Sequence, residues 1–167
     1  MPARQQRDPA TGLAAMQTIN SIRIAADADL VFGTASNVEE WPAILPHYRS
    51  VRHIGGQGSW RTFEMAARRS GMPIKWTALM LCDPSIRRIY FRHVGGLTRG
   101  MEVEWSFQPV SDGTSVCITH DLSRLRVPIV RSALGKLLTG RVFVEQVADR
   151  TLRCMKRWIE AQCGELR

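Results

Sequence analysis

Four histidines, a scatter of arginines and one glutamate are the side chains in this chain best able to act on a bound molecule. His120 stands in the run GTSVCITHDL, where strand alternation puts its imidazole on one face with Val116, Ile118 and Leu122. An imidazole of near-neutral pKa both takes and gives a proton, although one satisfied by a single core hydrogen bond would sit equally well there. His93 lies near the end of its strand, at the rim of whatever that strand encloses, where solvent is expected to reach it. His47 and His53 fall on or beside the second strand, with no cysteine or carboxylate at ligand spacing. No zinc or iron site, and no cofactor, is therefore expected. Glu64 and the Arg68-Arg69 pair belong to the third strand. Phe63, Met65 and Ala67 make one inner face there, which also carries Arg61 and Arg69; in the opposite register Glu64 points inward and needs a partner or a shifted pKa. His120, Arg69 and Glu64 are thus the candidate catalytic residues. No serine or cysteine has the setting of a nucleophile elbow, and there is no glycine-rich phosphate loop, which disfavours covalent acyl transfer and nucleotide chemistry.

Positioning these residues requires a sheet and a helix. Residues 19–24 alternate as a first strand. Asp27 and Asp29 then cap a short helix over 28–36, and Asn37 can cap a second through Trp41, closed by Pro42 and Pro46. Further strands follow at 51–56, 59–69, 73–82, 87–94, 101–109 and 114–122, each ended by turn chemistry such as Gly55-Gly56, Asp83-Pro84, Gly95-Gly96 or Asp112-Gly113. In the sixth, Met101, Val103, Trp105 and Phe107 share one face and Glu102, Glu104, Ser106 and Gln108 the other. Last comes one long helix over 137–160, with Val144, Ala148, Thr151, Met155 and Trp158/Ile159 as a single apolar stripe. A stripe of that size must lie on the sheet. The space between is a core or a ligand cavity. If a cavity, its wall is expected from Phe63, Met65, Trp76, Phe91, His93, Met101, Val103, Trp105 and Ile118 on the strands and from Val144, Thr151 and Met155 on the helix.

The chain has 167 residues, 44% of them hydrophobic, which is enough for one domain with its own core. Residues 1–16 read as a loose tail and 17–163 as a single ligand-binding domain. Neither a membrane-spanning stretch nor a secretory leader is evident, and four cysteines without paired spacing suit a reducing cytoplasm. The net charge of +8 favours an anionic partner, but the basic residues are dispersed and lack interleaved aromatics, so nucleic acid is not expected.

Four segments in order carry a family resemblance: INSIRIAADADLVFGTASNVEEWPAILPHYRSV, IKWTALMLCDPSIRRIYFRHVGG, GMEVEWSFQPVSDGTSVCITHDL, and LRVPIVRSALGKLL ahead of the long helix. Over about 140 residues this order resembles the polyketide cyclase/dehydrase family of the START-like, helix-grip superfamily, near its coenzyme Q-binding-like branch. The resemblance implies an α+β fold: a curved seven-stranded antiparallel sheet wrapped around a C-terminal helix, with two short helices after the first strand. It also implies a hydrophobic ligand between sheet and helix. Cyclases of the family are implied to fix the polyketide with a basic residue on the third strand. That position falls at or beside Glu64 here, with Arg61 and Arg69 nearby, a departure from the pattern.

Three functional readings follow. In the first, the chain is an aromatase/cyclase that cyclises and dehydrates a poly-β-ketone held on an acidic acyl carrier protein. His120 then moves the proton, and Arg69 donates to the developing enolate. The second is a non-catalytic carrier or chaperone of a quinone, isoprenoid or lipid, needing only an apolar cavity of roughly 300–1,000 Å³ and a basic rim for peripheral contact with an anionic membrane. The third is a small regulatory protein that binds a macromolecule through its basic surface. Residues 125–140, with Pro128 among apolar neighbours, could gate the cavity in either of the first two.

Overall fold

The computed structural model describes residues 17–69, 71–125 and 141–165. In chain order these form β1 (Gln17–Ile24), α1 (Ala28–Ser36), a 3-10 turn (Val38–Glu40), α2 (Trp41–Ile44), β2 (Tyr48–Gln57), β3 (Trp60–Arg69), β4 (Met72–Asp83), β5 (Arg88–Gly96), β6 (Glu102–Val110), β7 (Gly113–Asp121) and α3 (Arg141–Glu165). The strands make one sheet in the order β1-β7-β6-β5-β4-β3-β2, with every neighbouring pair antiparallel. A meander from β2 to β7 thus ends beside β1, and α3 lies along β1 and β7 and reaches α2. The chain adopts the START-like helix-grip fold that the family resemblance implies.

Alternation sets which face meets α3. Along β7 the burial pattern switches at every residue, so Val116, Ile118 and His120 face in and Cys117 and Thr119 face out. β3 behaves likewise: Phe63, Met65 and Ala67 are buried, which resolves the parity that sequence leaves open. The sheet curls through register shifts in β2, between Tyr48 and Ser50 and between His53 and Gly55, and where β4 meets β5 at Thr77 and Ala78. Beside the last of these, Gly96 has φ +81°, and a Cβ there would collide with the carbonyl oxygen of Lys75.

The Asp27 carboxylate caps α1, accepting from the backbone N–H of Asp29 and Leu30. Asn37 does not cap through its side chain; the chain tightens instead into the 3-10 turn and then α2, with Pro42 in its first turn. This turn drives Trp41 inward, where its Nε1–H donates to the Ala35 carbonyl at 3.1 Å and its ring meets Tyr48, Phe91 and Trp105. The inner stripe of α3 is Val144, Ala148, Thr151, Leu152, Met155 and Ile159. Trp158, expected in that stripe, is 39% exposed because its position points past α2 to solvent.

Candidate functional site

Between α3 and the inner face of the sheet the side chains enclose a cavity of about 90 Å³. Its walls come from Met65 and Ala67 on β3, Ile74 and Trp76 on β4, Phe91 and His93 on β5, Val103 and Trp105 on β6, and Ile118 and His120 on β7. Trp41, His47 and Tyr48 close one end, and Val144, Val147, Ala148 and Thr151 of α3 cover it. At ~30 Å³ per water, this is room for about three waters, well short of the space a drug-sized ligand pocket offers. A multi-ring or long-chain ligand must push side chains aside or part α3 from the sheet. Among the lining residues, Arg68 is exposed and Trp76 and Val147 are half-buried, so the cavity meets solvent at the β3–β4 hairpin and the first turns of α3.

Three histidines carry the polar character of this wall, and each holds a threonine hydroxyl. On β7, His120 Nδ1 lies 3.4 Å from Thr18 Oγ1, directly opposite on β1. His93 Nδ1 lies 2.6 Å from Thr98 Oγ1 in the β5–β6 turn. That turn is folded back on His93 by the bonds from Gly100 N–H to the His93 carbonyl and from His93 N–H to the Met101 carbonyl. His47 Nε2 lies 2.9 Å from Thr151 Oγ1 on α3. All three rings are less than a tenth exposed. Burial lowers the pKa of each: His120 to about 4, His93 to about 3 with a further push from neighbouring His120, and His47 to about 4 with a further push from Arg150. Near neutral pH the cavity therefore holds three uncharged imidazoles. The Trp76 ring stacks on His93 at 5.9 Å and 4° between planes.

Of the residues expected to line a ligand site, Met65, Trp76, Phe91, His93, Met101, Val103, Trp105, Ile118, Val144 and Thr151 all line this cavity, together with His120. Phe63 and Met155 are wholly buried, but off the cavity, in the packed core beside it. Glu64 is not a cavity residue: parity turns it to the outer face, where Arg52 on β2 donates to its carboxylate at 2.7 Å. The Arg69 side chain lies outside the described residues, as does most of the 125–140 segment proposed as a gate; Arg68 is the described arginine at the cavity mouth. His93 is buried rather than solvated, because the returning β5–β6 turn covers it.

Sequence reasoning missed His47, Tyr48, Trp41 and Thr98, and of the Arg68-Arg69 pair it singled out Arg69. The case of His47 is instructive, since it was set aside for lacking metal-ligand spacing. Its inward aim comes from the turn closed by Tyr48 N–H on the Leu45 carbonyl, and from the His47 carbonyl accepting Arg68 N–H. Neither bond has a local sequence signal. Among the described residues no cluster of histidine, cysteine, aspartate and glutamate is arranged to hold a metal ion, and no helix is long and apolar enough to cross a membrane.

Against known proteins, this geometry has clear company. The chain is 29% identical over 137 residues to the actinorhodin polyketide synthase bifunctional cyclase/dehydratase of Streptomyces coelicolor, covering 75% of this chain and 43% of that protein. It spans less than half the length of the two Streptomyces bifunctional cyclase/dehydratases it matches. In three dimensions it resembles the Zhui aromatase/cyclase of Streptomyces sp. R1128, with a TM-score of 0.73 at 20% identity over 88% of this chain and 94% of that one. A START superfamily protein of Mycobacterium smegmatis has the same fold at a TM-score of 0.65 and 16% identity, covering 90% and 99%. Residues 24–155 match the family described as polyketide cyclase / dehydrase and lipid transport, and with four-fifths of its length inside that match the chain belongs to this family.

Proposed function

We propose that this chain cyclises and dehydrates an oxygenated polyketide chain held between α3 and the sheet. The observation that carries the reading is the pair of uncharged, buried imidazoles of His93 and His120 inside an otherwise apolar cavity. An aldol closure needs a base for the proton of an activated methylene and a donor for the carbonyl oxygen that becomes alkoxide. Two neutral imidazoles supply both at once. Where the Thr18 hydroxyl donates to His120 Nδ1, the proton of that ring sits on Nε2 and donates a hydrogen bond to the carbonyl oxygen as it becomes alkoxide. Where His93 Nδ1–H donates to Thr98, its Nε2 lone pair is left to take the methylene proton. The carbon–carbon bond forms from the enolate, and His93 returns its proton to the alkoxide; His93 then takes the second methylene proton and passes it to the departing hydroxyl, which leaves as water. Low pKa values keep both rings uncharged between steps, so His93 holds a proton only in transit and His120 remains a hydrogen-bond donor.

Carrier function alone needs apolar walls; three buried imidazoles would only cost stability there. The acidic acyl carrier protein expected from the net charge of +8 would meet exposed Arg68 at the mouth and exposed Arg150 on α3, whose charge is felt by His47. The test is reconstitution with a carrier-bound poly-β-ketone, scored by product regiochemistry because such chains also cyclise unaided. His120→Ala is expected to lower the enzyme-directed product by about 10²-fold or more. Undiminished directed product from that variant would remove the role of His120 at the developing alkoxide.

A further inference from the structure

Two buried polar atoms beside the cavity have no partner among the described residues: Trp76 Nε1 and His47 Nδ1. Both side chains line the cavity, Trp76 with its ring stacked on that of His93, and both flank Tyr48. The His47 and Tyr48 rings are 5.0 Å apart, and those of Tyr48 and Trp76 5.9 Å. An indole N–H can only donate. The neutral His47 ring has one proton, and in the tautomer whose Nε2 accepts the Thr151 hydroxyl that proton is on Nδ1. Two buried donors left without an acceptor are costly, at about 1–3 kcal/mol each. No acceptor among the described residues is offered to them. The cavity has to widen for any ring system, and the occupant that widens it comes against these two groups.

We infer that Trp76 and His47 form a polar subsite that takes one carbonyl or phenolic oxygen of the bound molecule, selecting oxygenated rings over hydrocarbon of the same shape. Thr151 acts here as a positioning residue: by donating to Nε2 it presents the Nδ1 proton. The inference rests on the cavity being the ligand site, and it adds what that ligand must carry. It is independent of whether His93 and His120 perform the chemistry.

The probes are 1-tetralone and tetralin, which share a bicyclic skeleton and differ by one ketone oxygen. Without a partner, the ketone binds an apolar cavity more weakly than the hydrocarbon, because its carbonyl must be desolvated. With the subsite, 1-tetralone is expected to bind at least about tenfold tighter than tetralin, and to move the indole N–H resonance of Trp76 downfield. That resonance is assigned by its loss in Trp76→Phe. Trp76→Phe and Thr151→Val are each expected to shrink the tetralone preference while leaving tetralin binding in place, which also shows that the variants are folded. Equal binding of the two probes to the unaltered protein, or a preference that survives in both variants, overturns the subsite and leaves the cavity reading standing. Binding of neither probe overturns both.

Discussion

Burying three imidazoles uncharged makes the stability of this fold depend on pH, and the size of the effect follows from their pKa values. An unfolded histidine titrates near 6.5, whereas folded His120 and His47 do so at about 4 and His93 at about 3. Between these limits the unfolded chain binds more protons than the folded one, so stability rises with pH through the window and is complete above it. Lowering the pH from 7.5 to 5.0 should cost about 2 kcal/mol each for His93 and His120. His47, held beside Arg150 at the surface, counts for about half of that after solvent screening. The total of roughly 5 kcal/mol is a large part of a typical 5–15 kcal/mol, and corresponds to a fall in Tm of about 10–20 °C. The carboxylates of Asp29, Asp83 and Asp121 are held low by hydrogen bonds and ion pairs, so their contributions are lost only at more acidic pH. Urea unfolding at half-unit steps from pH 5.0 to 7.5 would measure the slope, and the His93→Gln/His120→Gln double variant should remove most of it. A stability that stays level across that range, or an unaltered slope in the double variant, would refute the claim that these rings are buried neutral.

The outward placement of Glu64 predicts that Glu64→Gln changes stability by less than about 1 kcal/mol and leaves directed cyclisation intact. Chemical denaturation with the regiochemistry assay checks both, and a large loss of product would return Glu64 to the site. Phe63 is fully buried in the core beside the cavity, so Phe63→Ala should cost about 3–5 kcal/mol; a loss below 1 kcal/mol by the same denaturation would mean that the core closes over the gap.

Much of the fold was legible because strand alternation and turn residues are local signals. The clean periods of Met101 to Phe107 and Val116 to Leu122 put Trp105, Ile118 and His120 on the inner face, and the structure keeps them there. The stripe of α3 was legible for the same reason, failing at Trp158, where helical period alone cannot say where the opposing surface ends. The site was legible only along regular elements. His47 and Thr98 lie in turns whose direction is set by backbone bonds to Arg68 N–H, Gly100 and Met101, and no spacing rule reports those. His93 was placed at a wet rim because strand position marks the end of a strand, not what folds back over it.

The same distinction explains how one apolar cavity comes to hold three imidazoles. Each histidine is tied to a threonine that sequence distance would not suggest for two of the three: Thr18 is 102 residues from His120 and Thr151 is 104 from His47, while Thr98 is five from His93. The first pairing is fixed by β1–β7 register, the second by α3 packing over the turn before β2, and the third by the β5–β6 turn. Each hydroxyl engages one ring nitrogen and so offsets part of the desolvation that burial imposes. Because one nitrogen is occupied, the direction in which the other nitrogen points is set by the fold before any ligand arrives. Such preorganisation makes the polar groups of the cavity a property of tertiary register. A slip of one residue between β1 and β7 would move Thr18 off His120 and turn the neighbouring side chains to the opposite face. The apolar core that holds this register, Ile24 and Val116 among its buried residues, is therefore also what aims the chemistry.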